Sequence, residues 1–257
     1  MSQNKNTLFV LGLGPGDPLY LTPKAHQILT MCSTIVGYPL YLDLLPKELC
    51  SEKKIIATGM RKEEERCQKA IQACLAGQKT ALICSGDAGI YALAGLVLEI
   101  LDAANLFTKI SLEIIPGVPA LCAAAALLGA PLTHDFACIS LSDLLTPKDL
   151  IIRRLHAAFV GDFVTVLYNP RSQGRTTHLG EALALAAQYK DPQTPVGIVR
   201  NAFRSGQSVA IFPLNNVPQS TVDMLSIVII GNSQSRLAGP YMLTPRGYQL
   251  TQNKEYL

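Results

Sequence analysis

Charge is scarce in this chain, and so are histidines, paired cysteines and membrane-length apolar runs. Charged residues make up 16% of the 257 positions against 49% apolar ones. That ratio excludes a disordered chain and supplies a core for one large α/β domain or two small ones. The balance of 22 basic to 19 acidic residues, net +3, is too slight to point to nucleic acid, though it permits a locally basic cleft. Seven cysteines contain no C-x-x-C, and Cys84 and Cys122 lie inside apolar runs, so reduced, buried thiols are expected. The 4 histidines lack zinc spacing, and no metal site is expected. The apolar stretch 120–130 ends at Pro131 and is too short to cross a membrane. Residues 1–6 are polar and lack a signal-peptide pattern, so a cytoplasmic location is expected.

What the chain does have is glycine where strands end. An apolar run, 8–11, meets Gly12, Gly14 and Gly16 at alternate positions, with Pro15 between the last two. A helix follows from Thr22, suited to the cap, and Pro23, suited to the first helical position. The dinucleotide fingerprint needs G-x-G-x-x-G, and here the third glycine comes one residue early. Pro15 also removes an amide that a pyrophosphate would use. The turn therefore reads as a ligand-facing loop rather than an NAD site, or as a tight turn that merely needs positive φ.

Further strands are predicted over 34–37, 54–57, 80–84 and 112–115, with helices over 61–75, 92–101 and 120–128. The second half alternates likewise, with strands over 137–141, 162–168, 195–199, 208–212 and 225–230. Its helices are expected over 146–159 and 177–189. This alternation predicts two α/β domains with parallel or mixed sheets. Residues 1–116 form the first, 117–131 the junction and linking helix, 132–240 the second, and 241–257 a polar, loosely held tail. The expected strand ends carry Ser85, Gly86 and Asp87, Pro116 and Gly117, Asn169 and Pro170, and Arg200 and Asn201. In open α/β sheets ligands sit beyond such ends. No Walker-type lysine follows any glycine turn.

In order along the chain stand the Gly12–Asp17 turn, Ser85-Gly86-Asp87 with Ile90 and Tyr91, and Pro116-Gly117 with Pro119 and Ala120 before an alanine-rich helix. This set resembles the tetrapyrrole methylase family over residues 7 to about 247. Within it, the blocks 141–147, 167–175 and 230–233 resemble the branch that methylates precorrin-3B at ring carbon 17 in cobalamin biosynthesis. The resemblance implies S-adenosylmethionine as methyl donor, with S-adenosylhomocysteine left behind, in a cleft between two α/β domains. It further implies an anionic tetrapyrrole substrate, ring contraction coupled to methylation, a homodimer, and no nucleic-acid or membrane partner.

Carried over by position, Pro15, Ser85, Gly86, Asp87, Ile90, Pro119, Ala120, Asn169 and Ala202 line the donor site. Asp87 suits a ribose or the methionine amino group, and otherwise a helix cap before Ala88. Ring contraction needs proton movement, for which Asp17, Tyr38, Ser140, Asp143 and His134 are candidates. His134 and Asp135 also suit a plain cap and turn. Arg171 and Arg175 lead the candidates for substrate carboxylates; Arg61, Lys62, Arg66, Arg153, Arg200 and Arg204 are other rim cations. Two relatives' features are missing: Tyr38 stands where uroporphyrinogen-methylating enzymes have an Asp, and Met60 where they have a proton donor. Lys148 replaces a tryptophan usual in the branch. The other readings are a methylase acting on another corrin position and a non-enzymatic tetrapyrrole carrier.

Overall fold

The computed structural model describes residues 6–249. The chain forms two compact units, Met1–Ala123 with Ala202–Ser205, and Ala124–Asn201 with Gly206–Leu257.

The first unit runs β1 (Asn6–Gly12), α1 (Pro23–Met31), β2 (Thr34–Gly37), α2 (Pro39–Leu42), α3 (Lys47–Cys50), β3 (Lys54–Ala57), α4 (Glu63–Leu75), β4 (Thr80–Cys84), α5 (Ala94–Ala103) and β5 (Ile110–Ile115). Its five strands are all parallel, in the order β3-β2-β4-β1-β5. The central strands are near-continuous apolar runs because both faces are covered. Side chains alternate across the sheet. Leu8, Val10, Leu82 and Cys84 pack with Cys67, Ala70, Ile71 and Cys74 of α4 and Val97 and Leu101 of α5. Phe9, Leu11, Ala81 and Ile83 pack on the other face with Ala25, Ile28 and Leu29 of α1. Thr22 caps α1 by accepting from the Ala25 amide, with Pro23 at the first position.

The helix α6 (Ala120–Leu128) carries the division between units. The second unit continues with β6 (Gly129–Ala130), β7 (Phe136–Ser140), α7 (Lys148–Val160), β8 (Val164–Tyr168), α8 (His178–Ala186), β9 (Pro195–Arg200), β10 (Ser208–Pro213), β11 (Ser226–Ile230), β12 (Arg236–Ala238) and β13 (Tyr241–Leu243). Its main sheet is mixed, in the order β10-β9-β11-β8-β7, with β7 and β8 parallel and the other pairs antiparallel. Leu155 and Phe159 of α7 and Leu179 and Leu183 of α8 pack on Leu167, Val196, Val228 and Ile230.

Several elements differ from the sequence reading. Residues 39–42, outside every predicted strand and helix, form the short α2 because Pro39 suits a first helical turn. The helix expected from 92 starts at Ala94, and the strand expected from 162 starts at Val164 after Asp162 adopts φ 54°. Residues 241–243, assigned to a loose tail, form β13 between β12 and β6, with Met242 fully buried. The rest of that stretch beyond 249 lies outside the described residues.

Candidate functional site at the strand tips

In the first unit, β4, β1 and β5 are adjacent and end at one edge. Their three following turns are therefore neighbours. The Leu13 amide donates to the Cys84 carbonyl at 2.9 Å, and Gly14 and Gly86 exchange amide-to-carbonyl bonds of 3.0 and 2.8 Å. Gly14 and Gly86 have φ of 74° and 68°, which glycine adopts without strain. A Cβ on Gly12 would lie 2.5 Å from the Gly86 carbonyl oxygen and 2.6 Å from the Gly117 amide nitrogen. The glycines at 12, 86 and 117 thus let three main chains pack against one another.

Asp87 ties two of these turns together. Its Oδ1 accepts from the Gly89 amide at 2.8 Å, and its Oδ2 accepts from the Gly117 amide at 3.0 Å. The carboxylate so fixes the β4 turn relative to the β5 turn, and the cap role does not hold, because α5 starts seven residues later. Ile90, Pro119 and Ala120 are half-buried nearby in sequence, with Pro119 accepting from the Cys122 and Ala123 amides at the start of α6. Ala202 belongs to the same unit. Two residues on, the Arg204 Nε donates to the Pro15 carbonyl and Nη2 donates to Ser85 Oγ at 2.5 Å. Gly16 has Arg204 where a side chain would stand: a Cβ there would lie 2.6 Å from Nε. The early third glycine thus admits an arginine.

At the same edge Tyr38 follows β2. Its ring meets Tyr41 edge-on at 5.3 Å and lies under the Arg66 guanidinium at 5.6 Å. Arg66 is only 4% exposed and donates to the Thr58 and Gly59 carbonyls, while its Nε and Thr58 Oγ1 are buried without partners. It is a buried strut, not a rim cation. Asp17 accepts from the Leu19 amide at 2.9 Å and caps the short turn Pro18–Tyr20.

The second unit gathers another group. Asn169, at φ 50°, follows β8 and donates through Nδ2 to Ser140 Oγ at 3.0 Å. Ser140 Oγ also accepts from the Ser142 amide. Asp143 lies 2.9 Å from His178 Nε2, and that hydrogen bond holds its carboxyl below the usual aspartate value. Arg175 is buried, donates to Ser142 Oγ at 3.0 Å and stands 4.0 Å from Asp143. Arg171 donates to the Gln219 carbonyl at 2.7 Å. Each arginine thus has part of its fork engaged within the fold, while Arg175 Nε is buried without a partner. His134 is exposed and accepts from the Asp135 amide through Nδ1, the turn role. Arg153 is exposed on α7.

Sequence reasoning missed His178, which lies 35 positions from Asp143 with no pattern linking them. It also missed the inward reach of Arg66 and Arg204. The only local signal for Arg204 is the displaced glycine at 16. Among the described residues no group of three or more His, Cys, Asp or Glu could hold a metal ion, and no helix is long and apolar enough to cross a membrane.

Comparison with known proteins agrees with this architecture. A probable cobalt-factor III C(17)-methyltransferase of Salmonella typhimurium is 47% identical over 243 residues, covering 95% of this chain and 100% of that protein. A precorrin-3B C(17)-methyltransferase of Sinorhizobium sp is 38% identical over 94% of this chain and 97% of its own. The crystal structure of the methyltransferase CobJ superposes with a TM-score of 0.89 at 32% identity, over 94% of this chain and 100% of that one. The family model for tetrapyrrole (corrin/porphyrin) methylases matches residues 7–218. With its parallel sheet, its three joined glycine turns and these relatives, the chain belongs to the tetrapyrrole (corrin/porphyrin) methylases.

Proposed function

We propose that this chain transfers a methyl group from S-adenosylmethionine to ring carbon 17 of precorrin-3B or its cobalt-containing counterpart, with ring contraction, in cobalamin biosynthesis. The observation that carries the reading is the end-to-end likeness to proteins named for methylation at carbon 17 of cobalt-factor III and of precorrin-3B.

The strand tips suit the donor chemically. Main-chain groups, one serine hydroxyl and one carboxylate stand beside apolar Ile90, Pro119 and Ala120, and no Walker-type lysine is present to favour a triphosphate. When bound, S-adenosylmethionine supplies an electrophilic sulfonium methyl group. Pro15 and Ser85 offer polar groups that orient it, Gly86 leaves room for its close approach to the main chain, and Asp87 holds two turns in register while keeping lone pairs for a ribose or amino group. Ala202 and Asn169 extend the donor-binding set. Such orientation is worth up to roughly 7–11 kcal/mol of a transfer barrier. The proton movements of ring contraction are assigned to Asp17, Tyr38, Ser140 and His134. Of these, Ser140 accepts a hydrogen bond from Asn169, which lies inside the 167–175 block that resembles the branch. Arg171 and Arg175 are assigned to substrate carboxylates, through N–H groups not engaged by Gln219 and Ser142.

We place the enzyme in the cytoplasm as a homodimer on the family resemblance, which sedimentation tests. The test of function is incubation with S-adenosylmethionine and each macrocycle, followed by product mass and absorbance. One added methyl group with the spectral change of contraction is expected. A methyl group at a different ring carbon, or tight pigment binding without transfer, contradicts the reading.

A further inference from the structure

The cations at the strand ends differ in how their charge is met. Arg200 donates through Nε to Asp223 at 2.7 Å, and Arg175 faces Asp143. Arg204 has no carboxylate partner among the described residues. Its Nε and Nη2 go to the Pro15 carbonyl and Ser85 hydroxyl, both neutral. The one ionisable group that acts on it is Tyr41, a phenol whose ionisation burial makes harder. Tyr41 also feels Arg66, which donates to two carbonyls and lies over the Tyr38 ring. Two guanidinium groups thus share one end of this sheet with no ion-pair partner among the described residues, the Asp87 and Asp17 carboxylates there accepting from main-chain amides instead.

The fold goes to some length to put Arg204 there. Gly16 vacates the space that its side chain fills. Asn201 and Phe203 take φ of 50° and 56°, a left-handed backbone that a bulky residue such as Phe adopts rarely. The Phe203 ring stacks on Tyr20 at 4.3 Å. A half-buried cation held by neutral acceptors is incompletely compensated, because burial weakens its hydration and no opposite charge replaces it.

We propose that Arg204 is a carboxylate receptor at the strand tips, held on Pro15 and Ser85 until a ligand brings its anion. The carboxylate is either that of the donor's methionine part or an acetate or propionate arm of the macrocycle. A planar guanidinium binds either with two parallel hydrogen bonds. This rests on the methyltransferase reading, and it adds a charged residue to a donor site otherwise built of neutral groups and Asp87.

Calorimetry on the full chain tests it, with S-adenosylhomocysteine and with 5′-methylthioadenosine, which lacks the carboxylate. If the donor supplies the anion, Arg204→Gln weakens S-adenosylhomocysteine about 10- to 100-fold and leaves methylthioadenosine unchanged. If the macrocycle supplies it, both nucleoside affinities hold. The macrocycle KM then rises by a similar factor at retained kcat, and a methyl-esterified macrocycle shows no difference between variant and wild type. Arg204→Lys, which keeps the charge, recovers part of either loss, and serves alone if Arg204→Gln melts below the assay temperature. Unchanged ligand affinities and KM in a folded Arg204→Gln overturn the assignment. Failure of the wild type to bind either nucleoside overturns the methyl-donor reading as well, so the two failures are distinguishable.

Discussion

Asp87 is where the site and the stability of the first unit meet. Its two oxygens answer two main-chain amides from two turns. Removing it leaves the Gly117 amide, half-buried, without that partner. Asp87→Ala is expected to lower unfolding free energy by about 1–3 kcal/mol and to weaken S-adenosylhomocysteine at least tenfold. Denaturant unfolding and calorimetry check the two effects, and unchanged affinity would remove Asp87 from the donor set. In the second unit Asp223 behaves differently. Burial alone would raise its carboxyl, but hydrogen bonds from Arg200, Leu225 and Ser226 outweigh that and hold it below the usual aspartate value. A depressed folded pKa means a contribution present above the unfolded value, about 3.9, and lost as pH falls through the folded one. Asp223→Asn should therefore reduce stability at neutral pH and flatten its fall on the acid side. An acid limb as steep in the variant as in the wild type would contradict this.

Elements were legible where one local rule dominated. Thr22 and Pro23 mark the start of α1 because cap and first-turn chemistry are local. The stripe of Cys67, Ala70, Ile71 and Cys74 locates α4 because all four face one core. The strand β13 was not legible, since its three residues show no period of their own and are fixed only by pairing with β12 and β6. Its burial makes a clear prediction. Met242→Ala should cost about 2–5 kcal/mol of stability, whereas Leu237→Ala, on the exposed β12, should cost under about 0.5 kcal/mol. Denaturation midpoints read the difference, and equal effects would mean that β13 does not seal the second unit.

At the scale of the whole molecule, the three glycine turns could be read from the sequence because glycine spacing at strand ends reports main-chain geometry directly. Pairings across long separations could not. Asp143 with His178, and Arg204 with Pro15 and Ser85, depend on which strands become neighbours, and no residue type announces that order. The cysteines follow their apolar settings at Cys32, Cys67, Cys74 and Cys84, which are buried, but not at Cys122. None of the seven forms a disulfide, and burial pushes Cys67 up to about 12 and Cys84 up to about 11, far from reactive thiolates, whereas Cys122, expected to be buried in its apolar run, is exposed on α6. Donor binding at three joined turns is the claim on which the rest stands. Amide hydrogen exchange with and without saturating S-adenosylhomocysteine tests it most directly. The account predicts slowed exchange over 13–17, 85–90 and 117–121, with little change in α7 or β10. Uptake that protects other segments while leaving these three turns unaltered would contradict it.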